Sequence, residues 1–139
     1  MLTANDIMAF IATAQPDEAL MFYRDRLGLR LAADTESALE FEAGERPTLL
    51  RVQKVAAVTP APFTVLGWKV PDIADEVDAL SKRGIAFERF DGLDQDERGI
   101  WTAPGGARVA WFKDPDGNML SLTQLMPGAA ASESAQPIT

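Results

Sequence analysis

Pro16-Asp17-Glu18-Ala19-Leu20-Met21-Phe22-Tyr23-Arg24-Asp25-Arg26-Leu27-Gly28 and Pro71-Asp72-Ile73-Ala74-Asp75-Glu76-Val77-Asp78-Ala79-Leu80-Ser81-Lys82-Arg83-Gly84 decide the fold. Both stretches open on proline, which suits a first helical turn because its missing N–H is one of the donors left free there. Acids follow at once, where the positive end of the helix dipole favours them. Bases gather near the other end: Arg24 and Arg26 in the first stretch, Lys82 and Arg83 in the second. Each stretch closes on glycine, the residue best suited to a left-handed cap. Ala19, Leu20, Tyr23 and Leu27 recur at helical spacing, as do Ile73, Val77 and Leu80. The prolines stand 55 positions apart and the glycines 56, so the chain reads as an internal repeat.

Around each predicted helix lie short β patterns. In the first half, strands are expected at Asp6–Thr13, Leu29–Ala33, Ala38–Ala43 and Pro47–Val55, with a turn through Gly44-Glu45-Arg46-Pro47. In the second half they are expected at Phe63–Val70, Ala86–Phe90, Arg108–Lys113 and Met119–Leu125. Gly99–Ala103 offers a further short strand. Ala56–Pro62, with two prolines and few large side chains, reads as a linker. Residues 127–139 are rich in Ala, Ser and Pro and are expected to be disordered. The expected architecture is therefore α+β: one domain over 1–126, with module one at about 5–55, linker 56–62 and module two at about 63–126. Each module is a βαβββ unit whose single helix covers one sheet face. Two such units can set their sheets side by side as one curved mixed sheet around a cleft.

Composition narrows the chemistry. The chain has 139 residues, 47% of them hydrophobic, enough to fill one core. Thirteen basic and 21 acidic residues leave a net charge of -8. Such a surface repels nucleic acid and anionic membranes and suits a cationic or amphipathic small molecule. No apolar run approaches the ~20 residues of a membrane span, and the first residues lack the pattern of a signal peptide, so a cytoplasmic location is expected. There is no cysteine and no histidine. That count removes thiolate chemistry, serine triads, histidine zinc sites and the two-histidine iron site. Carboxylates and amides could still hold a hard cation. Asp114-Pro115-Asp116-Gly117-Asn118 looks acidic enough, but it lacks the other ligands of a calcium loop and reads as a turn. Pro104-Gly105-Gly106 is likewise read as a turn, with no phosphate-binding lysine pattern beside it.

Three motifs in this order resemble the vicinal-oxygen-chelate superfamily, which includes glyoxalase I, extradiol dioxygenases, fosfomycin-resistance enzymes and bleomycin-binding proteins. They are Phe22-Tyr23-Arg24-Asp25-Arg26-Leu27-Gly28-Leu29, Val70-Pro71-Asp72-Ile73 and Trp111-Phe112-Lys113-Asp114-Pro115-Asp116-Gly117-Asn118. The resemblance spans roughly residues 5 to 125. It implies the duplicated fold just described and a homodimer. It also implies that four cleft-facing strand positions would carry His, Glu or Gln ligands in metal-dependent members. Those positions fall at Met8, Arg51, Val65 and Ser121, with Gln53 as a two-residue alternative to Arg51. None of the first four is a useful ligand, and one glutamine cannot replace the set, so no metal and no other cofactor is expected.

The remaining candidates carry two readings each. Arg51 in a cleft could anchor a ligand carboxylate, phosphate or enolate, or could pair with Glu40 or Glu42 on the adjacent strand. Trp101 and Trp111 could form a stacking wall for a flat or cationic ligand, or could be core or dimer contacts. Trp68 has the opposite strand parity to Val65 and is expected to pack away from the cleft. Three functions follow. The first is a metal-free small-molecule binding protein of the bleomycin-resistance kind. The second is a metal-independent enzyme using Arg51 with Glu40, Glu42 or Tyr23 to move protons. The third is a dimeric module without a ligand.

Overall fold

A computed structural model describes residues 1–126. The segment expected to be disordered lies outside the described residues. The chain divides into two compact units, the first Met1–Thr59 and the second beginning at Pro60, a boundary inside the segment read as a linker. Each unit is built on a four-stranded mixed sheet with few helices, an α+β fold.

The first unit contains β1 (Met8–Thr13), α1 (Pro16–Leu20), β2 (Arg30–Asp34), β3 (Ala38–Ala43) and β4 (Thr48–Lys54). The strands lie in the order β1-β4-β3-β2, with β1 parallel to β4 and the other pairs antiparallel. Strand alternation puts Ile11, Leu39, Phe41, Leu50 and Val52 on one face, all buried. Ala19, Phe22 and Tyr23 of the helical segment are buried too, and the Tyr23 ring lies 5.7 Å from that of Phe41. Each such side chain contributes roughly 1.5–3 kcal/mol on full burial.

The helix is not the uniform α-helix that the spacing predicts. Beyond Leu20 it widens into a π-helical stretch over Met21–Arg26, and Leu27 N–H donates to the Phe22 carbonyl five residues back, at 2.9 Å. A wider turn places successive side chains at a smaller angle about the axis. That lets the adjacent rings of Phe22 and Tyr23, 5.0 Å apart and nearly perpendicular, both be buried. The segment then closes on Gly28 at φ 77°.

The second unit contains β5 (Thr64–Lys69), α2 (Ile73–Lys82), β6 (Trp101–Thr102), β7 (Arg108–Lys113) and β8 (Met119–Gln124). Its order, β5-β8-β7-β6, repeats that of the first unit, again with the first strand parallel to the last. Helix α2 starts two residues after Pro71. Asp72 is the cap, its carboxylate accepting from Asp75 N–H at 3.1 Å, while Gln124 Oε1 accepts from Ile73 N–H at 2.8 Å. Ile73, Val77 and Leu80 are its buried stripe, and α2 packs on β7 and β8. Its end is tied by Ile85 N–H to the Leu80 carbonyl and by Gly84 at φ 91°.

The strand expected over Ala86–Phe90 is corrected. Only Phe87 makes a bridge, to Phe112, and the edge of the sheet is formed instead by Trp101–Thr102. Backbone groups that would have joined a ladder are taken by the side chain of Gln95. Its Oε1 accepts from Phe90 N–H at 2.8 Å, and its Nε2 donates to the Glu88 and Gly99 carbonyls at 3.0 and 2.8 Å.

Both helix-ending glycines occupy the left-handed region, where a β-branched side chain is strained. Gly28→Val and Gly84→Val should each lose about 1–2 kcal/mol of stability, read as a lower urea midpoint with an unchanged slope. Unaltered midpoints in both would contradict the placement of the two caps.

Candidate functional site

In each unit one sheet face is covered by a helix, and the candidate residues gather on the other. On the first sheet that open face carries Met8 and Phe10 from β1, Leu49, Arg51 and Gln53 from β4, and Glu40 and Glu42 from β3. The phase follows from the register, which pairs Phe10 and Glu40 with Arg51 on either side, and Ala12 and Ala38 with Gln53. Met8 and Phe10 are 46% and 53% exposed, which is unusual for large apolar side chains on a strand.

Arg51 is engaged. Its Nη1 donates to Glu40 Oε2, and its Nη2 donates to Ser37 Oγ at 3.2 Å. The two charged side chains are only 27% and 23% exposed, so each neutralises the other in a partly dry setting. Of the two acids considered as partners, Glu42 instead accepts from Arg30 at 3.1 Å. Lys54 pairs with Asp34 at 2.6 Å. Tyr23, considered as a proton carrier beside Arg51, is fully buried against Phe41 on the helix side of this sheet. It does not share a face with Arg51.

On the second sheet the open face carries Val65, Gly67 and Lys69 from β5, Ser121 and Thr123 from β8, and Val109 and Trp111 from β7. Val65, 38% exposed, lies at an irregularity where β5 has one residue more than β8. Gly67 pairs with Ser121, and a Cβ at Gly67 would stand 2.7 Å from Ser121 Oγ, so only glycine leaves room for that hydroxyl. Trp68 points the other way and stacks on Phe112 at 6.3 Å.

Trp111, expected to help line a cleft, is covered instead: its exposure is 0%. It forms a cluster with Val109 and Met119, roofed by Phe90, Leu93 and Trp101. The Phe90 ring meets it edge-on at 5.4 Å and Trp101 lies 6.3 Å away. Its Nε1 is buried without a hydrogen-bond partner among the described residues. Trp101 is half-buried and forms part of the roof. The roof is the loop that Gln95 organises. Arg89 fastens it by donating to the Asp96 and Glu97 carbonyls, both at 2.7 Å, and Asp96 Oδ1 accepts from Ile100 N–H at 2.9 Å. Arg98 ties it to α2 through two bonds to Asp78, at 2.8 and 3.1 Å. The Arg98 hydrogen bond holds the Asp78 carboxyl below its usual range, against the opposing effect of burial. Nothing in the sequence marks Gln95 or Arg98, since a polar residue in a loop has no periodicity to betray it.

The Asp114–Asn118 segment is the turn that the sequence predicts. Asp114 Oδ1 accepts from the N–H groups of Asp116 and Asn118, at 3.0 and 2.9 Å, and Gly117 has φ 86°. Asp114 Oδ2 accepts from Asn118 Nδ2 at 2.9 Å, so both carboxylate oxygens are spent within the turn.

The superfamily's metal does not fit the residues at the corresponding positions. Met8 and Val65 offer no donor of strength for zinc or iron, Ser121 offers a neutral hydroxyl, and Arg51 is a fixed cation bound to Glu40. Among the described residues, no group of three or more His, Cys, Asp or Glu side chains is placed to hold a metal ion. No helix among them is long and apolar enough to cross a membrane.

Comparison with known proteins follows the same line. The family model of the Glyoxalase/Bleomycin resistance protein/Dioxygenase superfamily matches residues 5–122. A member of that superfamily from Sphaerobacter thermophilus superposes with a TM-score of 0.68 at 20% identity, covering 90% of this chain and 100% of its own. TnmS3, an antibiotic binding protein from a Streptomyces species, gives 0.64 at 23% identity, covering 88% and 98%. A lactoylglutathione lyase from Agrobacterium tumefaciens gives 0.62 at 21%, covering 87% and 93%. No curated protein sequence matches the chain.

The Arg51–Glu40 pair makes a direct prediction. Arg51→Met should cost about 1–2 kcal/mol, between the values for exposed and buried pairs, and Glu40→Gln in the same chain should restore much of it. Equal stability of the single variant and the parent in urea would show that the pair contributes nothing. The Asp78–Arg98 pair makes another. Because the folded carboxyl titrates below its unfolded value, near 4, its stabilisation is complete above that pH and is lost as pH falls through the lower folded value. Acrylamide quenching of the tryptophans should rise over that acid range in the parent, and in Arg98→Ala it should already be raised at neutral pH and show no such step. Identical profiles would mean that the pair does not hold the loop.

Proposed function

Because the chain belongs to the glyoxalase/bleomycin resistance protein/dioxygenase superfamily, we propose that it is a small-molecule binding protein of the bleomycin-resistance kind that works without the superfamily's metal. What carries this reading is the residue set that the family resemblance puts at the four ligand positions: a thioether, a paired guanidinium (or, two residues on, the amide of Gln53), an isopropyl group and a hydroxyl, at Met8, Arg51, Val65 and Ser121. Met8 and Val65 are exposed enough to touch an organic ligand, Arg51 is partly exposed and Ser121 is buried at 6% exposure, and the four together make no site for zinc or iron. The fold is shared about equally with an antibiotic binding protein and with a lyase. The choice between binding and turnover therefore rests on side chains. Tyr23 is buried behind the sheet and Glu40 is bound to Arg51, so the proton carriers that a metal-free reaction would need are otherwise engaged. Met8, Phe10 and Val65 supply exposed apolar surface, and the net charge of -8 attracts a cation. The ligand class that matches both is amphipathic and carries positive charge. Gln53 on the first unit and Trp101 on the second are further proposed ligand contacts, and the protein is proposed to act as a homodimer.

Bleomycin, a cationic amphipathic compound, is a suitable probe. Titrated into EDTA-treated protein and followed by calorimetry, it should saturate at one equivalent per chain with Kd on the order of 1 μM, a free energy of about -8 kcal/mol. Protein dialysed first against zinc and then freed of unbound metal should bind bleomycin with the same stoichiometry and affinity. One tightly held zinc per chain after dialysis, or bleomycin binding that requires it, would overturn the metal-free reading.

A further inference from the structure

Cations on the strands of this protein are paired, with one exception. Among the described residues the strands carry Arg30, Arg51, Lys54, Lys69, Arg108 and Lys113. Arg30 pairs with Glu42, Arg51 with Glu40 and Lys54 with Asp34. Arg108 lies 3.9 Å from Asp96 and Lys113 lies 3.5 Å from Glu88. Lys69 alone has no carboxylate within ion-pair distance among the described residues, in a chain where acids outnumber bases by 21 to 13. It also lines a cavity of about 220 Å³ on the second unit, together with Gly67, Trp68, Thr123 and Leu125.

The cavity has the composition of a site for one negative charge. Lys69 and Thr123 are register partners on adjacent parallel strands, so their side chains leave the sheet on the same face, and both line the cavity. Gly67 adds no side chain to obstruct the approach, and it cannot gain one while Ser121 Oγ occupies the space. Leu125 gives an apolar wall. A single ammonium and a neutral hydroxyl balance a monoanion. A phosphate dianion would leave excess negative charge in the field of an already acidic protein. We infer that this cavity binds the carboxylate of an organic ligand, with Lys69 as the charge partner, Thr123 as a hydrogen-bond donor and the ligand's apolar body against Leu125. The inference rests on the small-molecule reading above, adds a carboxylate to the positive charge proposed there for the ligand, and places anion recognition at Lys69 rather than at Arg51, which Glu40 occupies.

Lys69 also stands on an edge strand, and lysine there can serve only to discourage sheet-to-sheet association. The experiment separates these roles. Backbone amide shifts of the full chain are followed by NMR while sodium phenylacetate, its neutral analogue 2-phenylethanol, or sodium phosphate is added. Phenylacetate should shift the amides of Gly67, Lys69, Thr123 and Leu125 and saturate in the millimolar range of a fragment. Phenylethanol and phosphate should bind at least tenfold more weakly. Lys69→Met should weaken phenylacetate at least tenfold with an unchanged thermal midpoint, and Lys69→Arg should retain most of the affinity. Equal phenylacetate binding by the parent and Lys69→Met overturns the inference, and more so if the variant self-associates, since Lys69 is then an edge guard only. Phosphate acting as strongly as phenylacetate on the same amides overturns the carboxylate assignment. Bleomycin binding that survives loss of the phenylacetate response leaves the broader reading intact. The reverse pattern removes that reading and keeps the pocket.

Discussion

A strand cannot lie parallel to its hydrogen-bonded neighbour unless the chain between them crosses from one end of the sheet to the other. Here that constraint acts twice, since β1 lies parallel to β4 and β5 to β8. In each unit the segment leaving the first strand is helical, and it buries its apolar stripe on one side of the sheet. Among the described residues neither unit has a second α-helix for the other side. β4 responds with alternation: Leu50 and Val52 inward, Arg51 and Gln53 outward. Met8, Arg51 and Gln53 of the proposed site therefore stand on a face that the helix leaves bare.

The two units fill those bare faces differently. The first uses charges in register, Arg30 with Glu42 and Arg51 with Glu40, between exposed apolar side chains of β1. The more exposed Arg30–Glu42 pair contributes on the order of 1 kcal/mol or less, and the less exposed Arg51–Glu40 pair about 1–2 kcal/mol. The second unit uses aromatic rings and folds a loop over them. Trp111 gains the burial of a large ring and an edge-to-face contact with Phe90. Against that stands its unpartnered indole N–H, which costs roughly 1–3 kcal/mol in a dry setting. The apolar gain outweighs that cost, which is why the ring stays covered.

Much of this was legible in the sequence because it rested on local rules. Proline, early acids, late bases and a closing glycine locate both helices, and alternation locates the faces of β4, β7 and β8. What stays hidden depends on residues far apart in sequence. The alternating Ala86–Phe90 looks like a strand until Gln95 takes its backbone groups. The widened turn at Met21–Arg26 is invisible because Ala19, Leu20, Tyr23 and Leu27 suit both helix types at that length. Residue pattern alone leaves the partner of Arg51 open between two acids, yet a signal exists: closing the turn between Ala43 and Thr48 puts Glu40, not Glu42, opposite Arg51. Lys69 escapes notice altogether, because an unpaired charge is recognisable only after every other charge has been paired in space.

The Gln95 side chain gives the loop a property that its irregular backbone conceals. Glu88 N–H is held by the Trp111 carbonyl, Phe90 N–H by Gln95, Asp96 N–H by the Ile100 carbonyl and Ile100 N–H by Asp96. Their exchange with solvent deuterium must wait for the loop to come apart as a whole, since no one bond can open while Gln95 bridges both sides. The loop and the sheet beneath it thus form one cooperative unit of unfolding. Slow exchange at Phe90 and Ile100 would report on the integrity of a region that, by secondary structure alone, looks free to fluctuate.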